Sequence, residues 1–571
     1  MHDGSDFDFL THPLSMDEEQ LVDLAASIRR FLISSTSETG GHIGANLGTV
    51  ELTLALHSVF KSPDVPFIFD TGHQGYTHKI LTKRAGLFRS LNSIGGMNRF
   101  LTPDESVHDL IESSHAGTAI STGLGLAIGR RLVGNADPVV AVVGDSALTE
   151  GNSLEALNHA VVESTNLIIV INDNGFAISE GFGGIHNVLQ HDADSARKFF
   201  EALGAHYVGP VDGHDTVAII SALESVASES KLPIIHIRTE KGRGLAAAKD
   251  HPTRMHYSPP FQIDNGWPSG LPGGRSFSDA VGNFLLEQMD LHRTMFCITP
   301  STRYATGLDA VFAKYPSRCS DPGMAEQHAM SLCVGLEKAG MLPVISYQST
   351  FMQRAYDQLV HDLAFSSTKA IILSHRSGLA GYDNSTHHGL YDAALLRTIP
   401  GLRIFRPSSF LDFKNLFSLE LAVLDGPVVF LLPYGEEEEF PALTDSKSTN
   451  PVLVTKGSET LLVSVGSMLG VSKEVASLRG YGLVDLRIIA PLPVEDLVSI
   501  AENYDRVVVL EEATSSGGIG FTIASSLAQA SARVSIKVLS FPDVFVGPGS
   551  RKELLSLHGL DVAGILKEID K

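Results

Sequence analysis

Six short aliphatic runs limit most tightly what this chain can fold into: VVAVV (139–143), LIIVI (167–171), AIILS (370–374), VVFLL (428–432), TLLVSVG (460–466) and RVVVLEE (506–512). They are almost continuously apolar rather than alternating, so both faces of each strand must be covered. The stretches between them carry helical spacing, as in SLEALNHAVV (153–162). Apolar strands alternating with helices predict an α/β fold whose parallel-rich sheets are covered by helices on both sides. At 571 residues the chain is too long for one core, and typical domain sizes suggest roughly three to four units.

Two stretches read as linkers. YSPPFQIDNGWPSGLPGGRS (257–276) has prolines and glycines that break any period, and residues 434–451 run from GEEEEF to TDSKSTN, charged and then polar. The four glutamates 436–439 read as a solvated connector. These breaks predict three consecutive α/β domains, at 1–260, 275–435 and 450–571.

A formal charge of −22 argues against a general nucleic-acid binder, which needs a basic face. Cys297, Cys319 and Cys333 have no CxxC spacing and form no disulfide framework, so a cytoplasmic location is expected. MHDGSDFDFLTHPLSMDEEQ (1–20) lacks the apolar core of a signal peptide, and no apolar run reaches the roughly eighteen residues of a membrane span.

The first two runs end in chemistry. VVAVV leads into Gly144-Asp145, and LIIVI into Asn172-Asp173-Asn174. Adjacent parallel strands bring their carboxyl ends to one sheet edge, where open α/β folds bind ligands. Alone, each fragment reads as a turn. Together they offer a carboxylate, an amide oxygen and a backbone carbonyl, that of Phe176, which suit Mg²⁺ with phosphate oxygens completing its octahedron. The segment 144–179 resembles the diphosphate motif of thiamine diphosphate enzymes, with Ser146 in place of a second glycine and the amides of Ser146 and Ala147 turned to the diphosphate. Upstream, SSHAGTAISTGLGLAIG (113–129) is a loop running into a helix of small residues, whose free N–H groups would face an anion. His42, His73 and His115 sit among glycines and serines and predict a polar pocket.

The second block holds GMAEQHAMSLCVGLEKAG (323–340), in which Glu326 stands where a short strand gives way to a helix. By itself it is a helix-start carboxylate. In thiamine enzymes a buried glutamate bonds N1′ of the aminopyrimidine and promotes loss of the thiazolium C2 proton, the protein supplying position and electrostatics. STFMQRAYDQLVHD (349–362) adds Phe351 as a stacking face, followed by Arg354 and Asp357. With GHIGANLGTVELTLALHSVF (41–60) and FPDVFVGPGSRKELLSLHGLDVAGI (541–565), nearly the whole chain resembles the 1-deoxy-D-xylulose-5-phosphate synthase family.

The resemblance implies an enzyme with thiamine diphosphate and Mg²⁺, acting on pyruvate and an aldehyde, and a homodimer. It implies Asp145, Asn174 and Phe176 as metal ligands, and His73, Ser114, His115, Ala116, Ser146, Ala147, Asn174, Phe351 and Glu326 as cofactor contacts. Glu326, His42, His256, Arg354, Asp383 and His387 would be catalytic positions, His387 as a candidate for proton transfer. Arg376 would bind substrate. The pattern departs at Ala116, where a serine is expected, at Leu245, where an aromatic residue is expected, and in a shortened segment after Ser179. Asn92 and Tyr434 replace arginines and Gln348 a tyrosine near the acceptor. Two lost charge-assisted bonds to phosphate would cost about 3–6 kcal/mol, or roughly a hundred- to ten-thousandfold in affinity. These departures predict a carboligase whose acceptor has changed. Ordinary synthase activity with glyceraldehyde 3-phosphate, transketolase-type ketol transfer and a non-catalytic paralogue are the competing readings.

Overall fold

Each of the six runs is a strand in a computed structural model of the protein, which describes residues 13–112, 114–163, 165–226, 229–269, 276–436, 448–530 and 532–571. The chain forms two compact units, Met1–Pro272 with Pro322–Ala325, and Gly273–Asp321 with Glu326–Lys571.

The first unit is built on β1 (Phe67–Phe69), β2 (Val139–Gly144), β3 (Leu167–Asp173), β4 (His206–Asp212) and β5 (Pro233–Arg238), in the order β1-β2-β3-β5-β4 with every pair parallel. VVAVV and LIIVI occupy β2 and β3. Val139, Ala141, Val143, Ile169 and Ile171 are buried on one face with the helices Ala119–Leu132 and Gly151–Ala160. Val140, Val142, Ile168 and Val170 are buried on the other with the helix Thr216–Ser225. Coverage on both sides is why the strands are apolar throughout.

The second unit holds two sheets. One has seven strands: β6 (Met295–Ile298), β7 (Cys319–Ser320), β8 (Leu342–Gln348), β9 (Ile371–Ser377), β10 (Arg403–Phe405), β11 (Val428–Pro433) and β15 (Ile488–Ala490), in the order β15-β10-β11-β9-β8-β6-β7. The other has β12 (Val452–Thr455), β13 (Thr460–Ser464), β14 (Gly482–Asp485), β16 (Arg506–Thr514) and β17 (Ser535–Phe541), in the order β12-β14-β13-β16-β17. The fold is α/β, with three largely parallel sheets whose strands alternate along the chain with helices.

The expected second and third domains, 275–435 and 450–571, fall within one compact unit, in which β15, from the C-terminal block, adds antiparallel to β10. The start of the first expected linker is also ordered structure. Gly41 and Ser258 exchange backbone hydrogen bonds of 2.8 and 3.0 Å, the Phe261 amide donates to Ser37 O, and Phe261 is buried. Proline and glycine hide a periodic signal but do not prevent such isolated bridges. Residues 270–275 and most of the second linker, 437–447 with Glu437, Glu438 and Glu439, lie outside the described residues. Among the described residues no helix is long and apolar enough to cross a membrane.

Candidate functional site

Parallel pairing sets Gly144 opposite Asn172, and the Asp145 amide donates to Asn172 O at 3.1 Å. Both chains therefore leave the sheet side by side. Gly175, at φ 75°, turns the second one sharply, and Asn174 Oδ1 accepts the Phe176 amide at 3.0 Å. The Asn174 amide lies against the Asp145 carboxylate. Asp145 is buried, and burial pushes its carboxyl above the ordinary carboxylate range despite His186, whose Nδ1 lies 3.9 Å from Oδ2. That distance is ionic contact rather than a hydrogen bond, and Asp145 Oδ2 has no hydrogen-bond partner among the described residues. Nor do three His, Cys, Asp or Glu side chains gather anywhere among them as a metal cage. A buried carboxylate oxygen as donor suits Mg²⁺ rather than a soft metal.

Lys241, which the sequence reading missed, shares this edge. Its Nζ donates to Ala177 O at 2.8 Å and lies 5.2 Å from the centre of the Phe176 ring. Burial pulls its ammonium down to about 7, although Asp145 pulls the other way. Ser146 leads into the single turn Ala147–Thr149, and its buried Oγ has no partner among the described residues. These atoms fit a diphosphate chelating a divalent cation: one carboxylate oxygen and a hydroxyl left unsatisfied among the described residues, and an ammonium made costly by burial until an anion joins it.

The helix Ala119–Leu132 corrects one expectation. Its first amides are not free, because Asp70 at the end of β1 accepts from Gly117, Thr118 and Ala119 at 2.9, 3.0 and 3.0 Å. A protein carboxylate thus occupies the positive end of the helix dipole where an anion was expected. Ser114, His115 and Ala116 lie in the preceding loop, Ser114 buried and the other two half-buried.

Three histidines do converge. The ring of His42 lies 5.4 Å from that of His73 and 5.6 Å from that of His256, and His73 and His256 are 5.3 Å apart. Burial and the nearby Lys241 ammonium drop His73 to about 3 and hold His256 well below the ordinary histidine range, so both are neutral at physiological pH. Asn46 fixes the cluster: its Nδ2 donates to His42 O and His73 O, both at 2.7 Å, and its Oδ1 accepts the Tyr76 amide at 2.8 Å.

Asn92 adjoins this cluster with an unforeseen partner. Its Oδ1 accepts from Arg99 Nε, and its Nδ2 donates to Thr39 O at 2.6 Å. The Arg99 guanidinium lies 4.2 Å over the Tyr257 ring, donates to Tyr257 Oη at 2.6 Å, and is buried. Tyr257 and Phe100 each pack 5.3–5.4 Å from His42. A buried cation therefore lies directly against position 92.

In the second unit Glu326 opens the helix Glu326–Lys338. Its carbonyl accepts the Tyr347 hydroxyl at 2.8 Å, while Oε2 is buried without a hydrogen bond among the described residues, 3.8 Å from Arg354. Burial raises its carboxyl to about 7, so near neutrality it can hold a proton for a ring nitrogen. Gln348 is buried at the end of β8, and Phe351 meets His387 edge-on at 5.7 Å. Arg376, at the end of β9, has φ 61°, donates to Asp383 at 2.9 Å and lies 4.8 Å over the Tyr434 ring. Thus Arg376, Asp383 and Tyr434 form one group, with Phe351 and His387 as a second contact pair in the same unit.

Comparison with known proteins gives these groups of residues a context. A family model described as 1-deoxy-D-xylulose-5-phosphate synthase matches residues 12–198 and 193–239. The transketolase pyrimidine-binding and C-terminal domain models match 274–436 and 451–565. The 1-deoxy-D-xylulose-5-phosphate synthase of Thioalkalivibrio sulfidiphilus is 35% identical over 592 aligned residues, covering 96% of this chain and 92% of that protein. The one from Nocardia farcinica is 36% identical, covering 96% of each. Among solved structures, Campylobacter jejuni transketolase aligns at 16% identity and a TM-score of 0.45, covering 97% of this chain and 100% of that one.

Proposed function

Since the chain belongs to the 1-deoxy-D-xylulose-5-phosphate synthase family, whose members are transferases dependent on thiamine diphosphate and Mg²⁺, we propose that it decarboxylates pyruvate and adds the two-carbon remainder to glyceraldehyde 3-phosphate. The altered acceptor expected from the sequence is not the reading best supported. It rested on two missing arginines, and the Arg99 guanidinium against Asn92 offsets one of them. The relatives near 35% identity also carry the ordinary synthase name over nearly the whole length.

In this reading Asp145 and Asn174 hold Mg²⁺, with Phe176 contributing its carbonyl, and Lys241, Ser146, Ala147 and His73 face the diphosphate. Bound thiamine diphosphate supplies the carbon nucleophile and electron sink. Glu326 bonds the ring nitrogen and, with its carboxyl near 7, shares a proton there. His73 and His256, kept neutral by burial, give and accept hydrogen bonds without adding charge beside the reacting carbon. His42 completes their cluster. Arg376, held by Asp383, and Arg99, held by Asn92 and Tyr257, orient the anionic acceptor, and His387 passes a proton to the acceptor oxygen. The same reading makes the protein a cytoplasmic homodimer, in keeping with three unpaired cysteines.

The observation that carries the acceptor assignment is the buried Arg99 guanidinium beside His42's neighbours. Steady-state kinetics with pyruvate and either glyceraldehyde 3-phosphate or unphosphorylated glyceraldehyde test it. Arg99→Met should raise KM for the phosphorylated acceptor about ten- to a hundredfold and leave the other nearly unchanged. Equal kcat/KM for both acceptors in the unmutated enzyme would refute the assignment. The remaining departures at Tyr434 and Gln348 support a second reading, a bulkier or uncharged aldehyde, which that same outcome would favour.

A further inference from the structure

The loop that follows Arg376 and carries Asp383 and His387 is held in place by the C-terminal block. Beginning where β9 ends, six residues between Leu379 and Tyr391 bond to partners between Glu512 and Glu553. The Leu379 amide donates to Glu512 Oε2 at 3.1 Å, and the Gly549 amide to Gly381 O at 3.2 Å. Tyr382 donates its hydroxyl to Glu553, and Tyr391 donates its own to Val544 O at 3.2 Å. His388 accepts the Ala380 amide on Nδ1 at 2.9 Å and lies 3.1 Å from Gly547 O through Nε2, while the Thr514 amide donates to Leu390 O at 3.3 Å.

Glu512 is the anchor of this set. It is buried on β16, and its Oε1 accepts Arg551 Nε at 2.6 Å. Its backbone carbonyl accepts Arg406 at 2.9 Å. Burial alone would neutralise the carboxyl, but Arg551, the Leu379 amide and Arg406 together hold it below the ordinary range, so it meets the loop as a carboxylate. Contact is close enough that a methyl group added at Gly378 would lie 2.5 Å from Oε2. A charged acceptor on the Leu379 amide, three residues after Arg376, fixes the course of the chain where it leaves the sheet, next to a backbone conformation at Arg376, φ 61°, that does not hold itself.

We infer that Glu512 is a positioning residue for the acceptor, setting Arg376, Asp383 and His387 through the 379–391 loop without touching substrate. This rests on the proposed reading that those three residues serve the acceptor. The test uses full-length holoenzyme and two readouts, amide hydrogen exchange at Leu379 and Ala380 and separate KM values for pyruvate and acceptor. Glu512→Gln keeps the shape and removes the charge. It should speed exchange at both amides and raise acceptor KM about ten- to a hundredfold, with pyruvate KM within about twofold. Unchanged exchange and acceptor KM in the folded variant would overturn the inference, as would an equal rise in both KM values. Should Glu512→Gln fail to fold, Tyr382→Phe cuts only the more exposed bond to Glu553. It should raise acceptor KM about three- to tenfold, and no change there would overturn the inference too. If the enzyme prefers an unphosphorylated aldehyde, the acceptor assignment fails while exchange, and KM for the preferred aldehyde, still judge Glu512.

Discussion

Replacing Glu326 with Gln should abolish turnover and stabilise the apoprotein, with a pH signature that only a buried titrating carboxyl produces. Burial raises this carboxyl from 4.5 to about 7. At about 1.4 kcal/mol per pKa unit, ionising it inside the fold costs about 3 kcal/mol. A raised folded-state value means that the contribution is fully present below about 4.5 and is lost as pH rises through about 7. Glutamine never ionises. The variant should therefore match the parent near pH 4.5 and gain with pH, reaching a plateau above 7 of about 4–6 °C in Tm for a unit of this size. Thermal unfolding of both apoproteins between about pH 4.5 and 8.5 measures the difference, and product formation from pyruvate and aldehyde should fall about a hundred- to ten-thousandfold. A Tm difference independent of pH would refute the burial argument. Retained turnover would refute the assignment of Glu326 as the residue that activates the cofactor.

Lys241→Met tests the opposite sign. Its folded value, lowered to about 7, means that stability is present at high pH and lost as pH falls through 7, so the variant's gain in apoprotein Tm should be largest below pH 7. Calorimetry should show thiamine diphosphate binding weakened about ten- to a hundredfold; unchanged affinity would remove Lys241 from the site. Asn46→Ala orphans His42 O, His73 O and the Tyr76 amide, and should cost about 2–4 kcal/mol in denaturant unfolding. It should also lower kcat/KM at least about tenfold by loosening the histidine cluster, and normal kcat/KM at reduced stability would show that the histidines hold themselves.

What the sequence determined by itself follows from periodicity and from short-range chain geometry. VVAVV and LIIVI could only be covered strands, and once they pair in parallel the exits at Asp145 and Asn174 must adjoin. The apolar stripe after Glu326 likewise places that carboxylate at a helix start. Polar partnership has no period, and there the tertiary structure decided. Asp70 reaches amides 47 residues away and takes the helix end that looked free for an anion. Arg99 meets a tyrosine 158 positions on, inside a segment whose prolines and glycines read as linker, and so comes to lie against Asn92, a pairing that the sequence did not show. Leu379 finds its carboxylate 133 residues downstream. A buried charge is satisfied by whichever complementary group the packed core brings within about 3 Å, and a linear pattern does not encode which group that is.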